Sequence, residues 1–187
     1  MLVIDETFTN TTYTSQELSK DGYDNCTFEK CNFEKTDLAD INFTDCNFKL
    51  CHFGNASFDN VGFKDVTFHG CNFLGSDLTT VSTFLLKMNF TECHMDLSLL
   101  SDLKLKGTVF HGCSMKEADF TNCDLTMTSF DSCNLDRAIF LNCNLTHADF
   151  REANHYTFDP GQNMLKKTKF SKNGVMGLLS KYDILVE

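Results

Sequence analysis

Ten cysteines and six histidines are the side chains of this 187-residue chain that could hold a metal or act as nucleophiles. A metal site needs deprotonated sulfur or neutral imidazole ligands that converge on one point. No Ser/His/Asp, dinucleotide-binding or P-loop motif accompanies these residues. The cysteines are instead spread along the chain at steps that are multiples of five residues, with a single exception of 22: Cys26, Cys31, Cys46, Cys51, Cys71, Cys93, Cys113, Cys123, Cys133 and Cys143. We therefore expect no catalytic residue, no metal and no cofactor.

The cysteines lie two residues before members of a longer series of Phe, Leu and Met residues with a five-residue period. Elsewhere the same position holds Ala, Val or Ser, so it requires a small side chain, and free Cys behaves as a small apolar residue. A helix repeats at 3.6 residues and a strand at 2.0, so neither explains this period. A solenoid with five-residue edges does, and it predicts buried, structural thiols.

Four edges form each predicted coil, because seven phenylalanines recur at steps of 20 residues with one step of 22: Phe28, Phe48, Phe68, Phe90, Phe110, Phe130 and Phe150. The Cys31 to Cys133 series has the same offset. The two extra residues lie between Leu78 and Phe90. Placing Phe84 as the intervening core residue predicts two single-residue bulges there.

One domain in three segments is expected. Residues 1–23 carry the period weakly and are expected to form a degenerate first coil that caps the solenoid. Residues 24–158 form the β-helix, although the five-residue period ends after Phe150. Residues 159–187 form a helical cap and dimerisation segment, in which Asp159 and Pro160 begin a short helix to about Leu165. Its candidate capping or dimer residues are Phe170, Val175, Leu178, Leu179, Ile184 and Leu185.

The formal net charge of −10 argues against a protein that coats nucleic acid or an anionic membrane. The first residues show no signal peptide, and no apolar stretch approaches 18 residues. These features favour a cytoplasmic protein. The charge is unevenly distributed, because residues 151–187 contain four acidic and six basic residues.

The stretches CTFEKCNFEKTDLADINF and CDLTMTSFDSCNLDRAIFLNCNLTHADF resemble pentapeptide repeats, and the resemblance covers roughly residues 24–150. It implies an all-β, right-handed quadrilateral β-helix (a pentapeptide-repeat solenoid) with a short helical C-terminal tail. The length and the segment DPGQN…GLLSKYDI are similar to Qnr-type quinolone-resistance and microcin-immunity proteins. That resemblance implies a non-enzymatic homodimer that mimics DNA, binds DNA gyrase or topoisomerase IV, and makes no direct contact with nucleic acid. Qnr-type proteins also carry long loops on which drug protection depends, and this chain lacks them.

One predicted face of the coils, the acidic face, carries carboxylates and no Lys or Arg from residue 36 onwards: Asp37, Asp40, Asp59, Asp77, Asp102 and Asp119. With coils about 4.8 Å apart, six charges extend over roughly 25 Å. This density approaches the ~3.4 Å per charge of one DNA strand. Two alternatives stand beside this interpretation. Asp also suits turn corners, where it bonds nearby backbone, and the same rod could serve as a scaffold for a protein other than a topoisomerase.

Overall fold

Parallel β-strands wind this chain into a solenoid in the computed structural model, which describes residues 1–14, 18–182 and 184. In this part of the chain the strands are two to four residues long. They are β1 (Val3–Ile4), β2 (Thr7–Thr9), β3 (Tyr23–Asp24), β4 (Thr27–Glu29), β5 (Asn42–Thr44), β6 (Asn47–Lys49), β7 (Gly62–Lys64), β8 (Val66–His69), β9 (Met88–Thr91), β10 (Val109–His111) and β11 (Ser129–Asp131).

Two parallel sheets cover adjacent sides of the solenoid, with strand orders β1-β3-β5-β7 and β2-β4-β6-β8-β9-β10-β11. Isolated parallel bridges such as Asn32↔His52 and Asp37↔Ser57 join successive coils on the other two sides. Residues pair with a 20-residue offset, as in Phe28↔Phe48, which becomes 22 at Phe68↔Phe90. The all-β fold class and the four-sided register are thus confirmed.

The interior is a set of ring and aliphatic columns. The phenylalanine column has two more members than the sequence analysis assigned, because Phe8 stacks on Phe28 and Phe170 stacks on Phe150. Along the column, ring centroids are 4.8 to 5.5 Å apart, within the favourable range for stacked aromatic rings. Since each ring lies one strand spacing from the next, the backbone pairing and the core packing impose the same period.

Each corner of a coil is turned by a residue with left-handed backbone, two positions after the core residue. On the acidic face these are Asp40 and Asp102, both with φ of 63°, and Asn60 and Asn122, with φ of 54° and 61°. Asn and Asp enter this conformation more readily than other non-glycine residues. The corners therefore explain why polar residues, and aspartate in particular, recur at this position.

The bulge between residues 78 and 90 differs from the prediction. The Ser82 N–H donates to Val61 O and the Lys87 N–H to Phe63 O, both at 2.9 Å. The residues between them leave the ladder together, so the insertion is a single excursion. Phe84 is 78% exposed, and Leu86 packs against the core in its place. The placement of Phe84 as a core residue is therefore wrong.

The C-terminal boundary also differs. The Asp159 side chain caps a 3₁₀ helix at Pro160–Gln162, as the Asp-Pro pair predicts, but the helix ends after one turn. The bridges Asn144↔Met164 and Asp149↔Lys169 then resume the parallel pairing. Coil packing thus continues to Phe170, beyond residue 158, because Leu165 and Phe170 follow Leu145 and Phe150 by 20 residues.

Two further 3₁₀ helices, Gly174–Leu178 and Ser180–Tyr182, form the tail. Leu178 is buried against the end of the solenoid. No helix among the described residues is long and apolar enough to span a membrane.

Candidate protein-interaction surface

The six aspartates of the acidic face lie on one side of the solenoid, but they do not form one row. Asp37, Asp77 and Asp119 belong to the column that directly precedes the core residues, where the bridges run Asp37↔Ser57, Asp77↔Leu99, Leu99↔Asp119 and Asp119↔Ile139. Asp40 and Asp102 lie at the corner. Asp59 follows Phe58 between these two columns. The predicted single line of charges is thus a broader, two-column distribution.

Backbone hydrogen bonds occupy part of the first column. Asp37 Oδ1 accepts from the Ala39 N–H at 2.9 Å, and Asp77 Oδ1 accepts from the Thr79 N–H at 2.9 Å. Asp119 Oδ1 accepts from the Thr121 N–H at 2.8 Å. These are the local turns that aspartate typically forms with the backbone two residues ahead. These three side chains therefore have a structural role in addition to any role in binding.

The corner carboxylates are bonded along the solenoid axis. Asp40 Oδ1 accepts from Asn60 Nδ2 at 2.8 Å, and Asp102 Oδ1 accepts from Asn122 Nδ2 at 3.0 Å. Within the described part of the chain, no side-chain hydrogen bond or ion pair involves the exposed Asp59 carboxylate. Of the six, Asp59 therefore has the clearest availability for a partner.

Charge on this face is less compensated than on the others. Lys20 lies at its N-terminal edge, where Nζ donates to Ala39 O at 2.8 Å, so one base borders the face. The other faces carry opposite charges within reach of each other, as in Arg137–Glu117 and Arg151–Asp149, both at 2.7 Å. Hydrogen bonds from the Arg151 guanidinium hold the pKa of Asp149 at about 2. Among the described ion pairs, none includes Asp40, Asp59, Asp77, Asp102 or Asp119.

Two apolar side chains interrupt the first acidic column. Leu99 and Ile139 are 42% and 47% exposed, and they occupy the positions between and beyond Asp77 and Asp119. Aspartates in that column are therefore about 10 Å apart, two strand spacings. The face combines carboxylates with exposed aliphatic side chains, which is a mixture that protein partners bind.

The ten cysteines are buried and free, as the position before each core residue predicts. Their thiols donate to backbone carbonyls of the preceding coil, for example Cys143 Sγ to Phe120 O at 2.9 Å. Burial raises the pKa of Cys46 and Cys123 to about 12. No group of three possible metal ligands occurs among the described residues.

The C-terminal candidates separate into two groups. Phe170 and Leu178 pack on the solenoid end, and Leu179 is half-buried. Val175 and Ile184 are exposed, together with Met176 and Tyr182, which the sequence analysis did not assign to an interface. Leu185 lies outside the described residues.

Comparisons with known proteins agree with this architecture. A model described as a pentapeptide repeat region matches residues 41–120, and one described as pentapeptide repeats (9 copies) matches residues 105–154. Together they cover residues 41–154, more than half of the chain. No curated protein matches the sequence.

Two solved structures illustrate the likeness. HetL, a pentapeptide repeat protein involved in heterocyst differentiation regulation from the cyanobacterium Nostoc sp., is 15% identical with a TM-score of 0.60, over 92% of this chain and 90% of that chain. A trypsin-treated form of QnrB1, a plasmid-mediated fluoroquinolone resistance protein, is 18% identical with a TM-score of 0.46, over 100% of both chains. At these identities the HetL match supports the fold alone, and the QnrB1 superposition is too loose to support an argument. On its repeat models, its register and its coils, the chain belongs to the pentapeptide-repeat family.

Proposed function

We propose that this protein is a non-enzymatic DNA mimic that binds a bacterial type II topoisomerase, DNA gyrase or topoisomerase IV. The acidic face is the observation that carries the proposal. Its six carboxylates lie on one side of a stiff rod with no Lys or Arg between residues 36 and 142 on that side. A DNA-binding groove lined with basic residues would attract such a surface as it attracts a phosphate backbone.

Regularity of the backbone supports the same proposal. Each coil places its side chains one strand spacing of about 4.8 Å from the next, so the carboxylates are held at fixed intervals. Local turns and asparagine bonds fix five of the six aspartates, and this preorganisation lowers the entropy lost on binding. The rod would act by occupying the enzyme's DNA-binding surface, or by releasing a quinolone or a gyrase-directed toxin from it.

Dimerisation through the tail is part of this proposal. Val175, Met176, Tyr182 and Ile184 leave apolar surface exposed at the C-terminal end. Two chains joined there about a two-fold axis would bury it and double the length of the rod. The mass in solution, measured by light scattering, tests this part independently of the partner.

The direct test is gyrase supercoiling with and without a quinolone. The test variant carries Asp37→Asn, Asp59→Asn, Asp77→Asn and Asp102→Asn, because asparagine keeps the Oδ1 acceptor of each turn and removes only the charge. The matched control replaces Asp45, Asp96, Asp124 and Asp136, on other faces, by Asn. We expect the wild type and the control to alter supercoiling or rescue it from the drug, and the test variant to lose most of this effect.

A second candidate function is a scaffold for a partner other than a topoisomerase. Leu99 and Ile139 favour it, because a pure copy of a phosphate backbone has no place for exposed aliphatic side chains. Affinity purification that repeatedly returns another protein and no topoisomerase, and that is abolished by Leu99→Ser with Ile139→Ser, would establish this function instead.

A further inference from the structure

Four exposed lysines form a cluster on the side of the solenoid that follows the acidic face along the chain. Lys64 follows the core residue Phe63, Lys87 follows the partly buried Leu86, and Lys106 follows Leu105. Lys87 is placed in this register because its N–H donates to Phe63 O. The three lysines therefore occupy equivalent positions in successive coils, about 4.8 Å apart. Lys104 lies on the other side of Leu105 and completes the lysine patch.

Most of this charge is not neutralised within the molecule. Lys87 pairs with Asp65 at the base of the bulge. In the described part of the chain, no ion pair includes Lys64, Lys104 or Lys106. Like charges held one coil apart repel each other, so a bound anion would relieve an unfavourable interaction here. The net charge of the whole chain conceals this patch, because the excess carboxylates lie on another side.

An exposed aromatic ring lies beside the lysines. Phe84 is 78% exposed, and Leu85 next to it is 54% exposed. Phe84 and Lys64 line one small cleft of about 140 Å³ together with Gly62. A side chain at Gly62 would collide with Asn42, since an added Cβ would lie 2.1 Å from Asn42 Oδ1. The cleft floor is therefore bare backbone, and one face of the Phe84 ring is open to a planar ligand.

We propose that the lysine patch and Phe84 bind single-stranded nucleic acid. Successive phosphates would contact Lys64, Lys104 and Lys106, and a base would stack on Phe84. Proteins that bind single strands combine a basic track with an aromatic platform in this way. An acidic protein segment would satisfy the lysines but would give the exposed ring no specific role. This site is separate from the acidic face and does not depend on a topoisomerase partner.

Fluorescence anisotropy with a labelled 20-nucleotide oligothymidine tests the proposal on the full chain. Binding should weaken as salt rises, with a slope of log K against log salt of about −2 to −3 for three or four phosphate contacts. Replacing Lys64, Lys104 and Lys106 by Gln should remove about two units of this slope. Phe84→Ser should weaken binding about tenfold and leave the slope unchanged. The control variant replaces Lys30, Lys35 and Lys116, on other faces, by Gln and should bind like the wild type.

Several outcomes would overturn the proposal. One is an absence of oligothymidine binding at 50 mM salt by protein whose circular dichroism spectrum is native. Another is equal weakening by the control variant, which would mean unspecific attraction. A duplex of the same length that binds as tightly, with no effect of Phe84→Ser, would exclude the single-strand assignment. Binding of an acidic peptide in preference to the oligonucleotide would assign the patch to a protein partner.

Discussion

At the scale of single residues, the phenylalanine column is the main determinant of stability. Phe90 is fully buried and stacks between Phe68 at 5.0 Å and Phe110 at 5.2 Å. Phe90→Ala should lower the free energy of unfolding by about 3–5 kcal/mol, because neighbouring coils cannot collapse into the cavity. Urea unfolding measures this loss, and Phe84→Ala, at an exposed site, is the control with an expected change within about 0.5 kcal/mol. A loss below about 1 kcal/mol for Phe90→Ala would contradict the register across the bulge.

Asp149 gives the fold a specific acid sensitivity. Arg151 donates to its carboxylate at 2.7 Å and Lys169, on the last coil, at 3.4 Å. The folded pKa of about 2 lies below the unfolded value near 3.9. The Asp149 carboxylate therefore stabilises the fold above about pH 4, and its contribution is lost as the pH falls from about 4 to 2.

Asp149→Asn tests this sensitivity. The variant should melt at a lower temperature than the wild type at pH 7, and the difference should shrink towards pH 2. Asp131→Asn, an exposed acid on the same side, is the control. An unchanged difference between pH 7 and pH 2 would show that Asp149 does not act through its charge.

At the scale of elements, the tail closes on the last coil through two glycines. A Cβ added at Gly177 would lie 2.0 Å from Tyr156 O, and one at Gly174 would lie 2.2 Å from the Tyr156 hydroxyl. Gly177→Ala should therefore displace the 3₁₀ helix Gly174–Leu178 and expose the buried Leu178. Trypsin cleavage in the tail, after Lys172 or Lys181, should become at least several-fold faster. Gly54→Ala, where the nearest atom is 3.8 Å away, should cleave at the wild-type rate, and equal rates for both variants would contradict tight closure.

The regular elements could be predicted from the sequence because one period determines both pairing and burial. Phe8, Leu165 and Phe170 also follow that period, so the true extent of the coils was present as 20-residue steps. The bulge could not be predicted, because Phe84, Leu85 and Leu86 are consecutive apolar residues. Only the hydrogen bond from Lys87 to Phe63 shows which of them enters the core. Likewise, Asp159 and Pro160 signal where a helix begins, but not that it ends after one turn.

The acidic face illustrates the same limit for the candidate site. Its side of the solenoid followed from the register alone. Its two-column arrangement did not, because local turns at Asp77 and Asp119 and the bonds between Asp40 and Asn60 depend on corner geometry. The exposure of Leu99 and Ile139 could have been inferred from the same register, since both directly precede core residues.

At the scale of the whole molecule, the solenoid separates functions by side. The interior is a continuous apolar core, the acidic face carries uncompensated carboxylates, and the lysine patch occupies the next side. A rod of this kind presents different surfaces to different partners without any change of conformation. The C-terminal end, where coil packing continues to Phe170, provides the surface for joining two rods.

Competition between the protein and DNA for gyrase tests the central claim most directly. The measurement is the displacement of a labelled DNA duplex from gyrase by increasing amounts of the rod. The wild type and the variant with Asn at positions 45, 96, 124 and 136 should displace the duplex. The variant with Asn at positions 37, 59, 77 and 102 should require at least tenfold more protein. A complex that holds enzyme, duplex and rod together, or equal displacement by both variants, would contradict DNA mimicry by the acidic face.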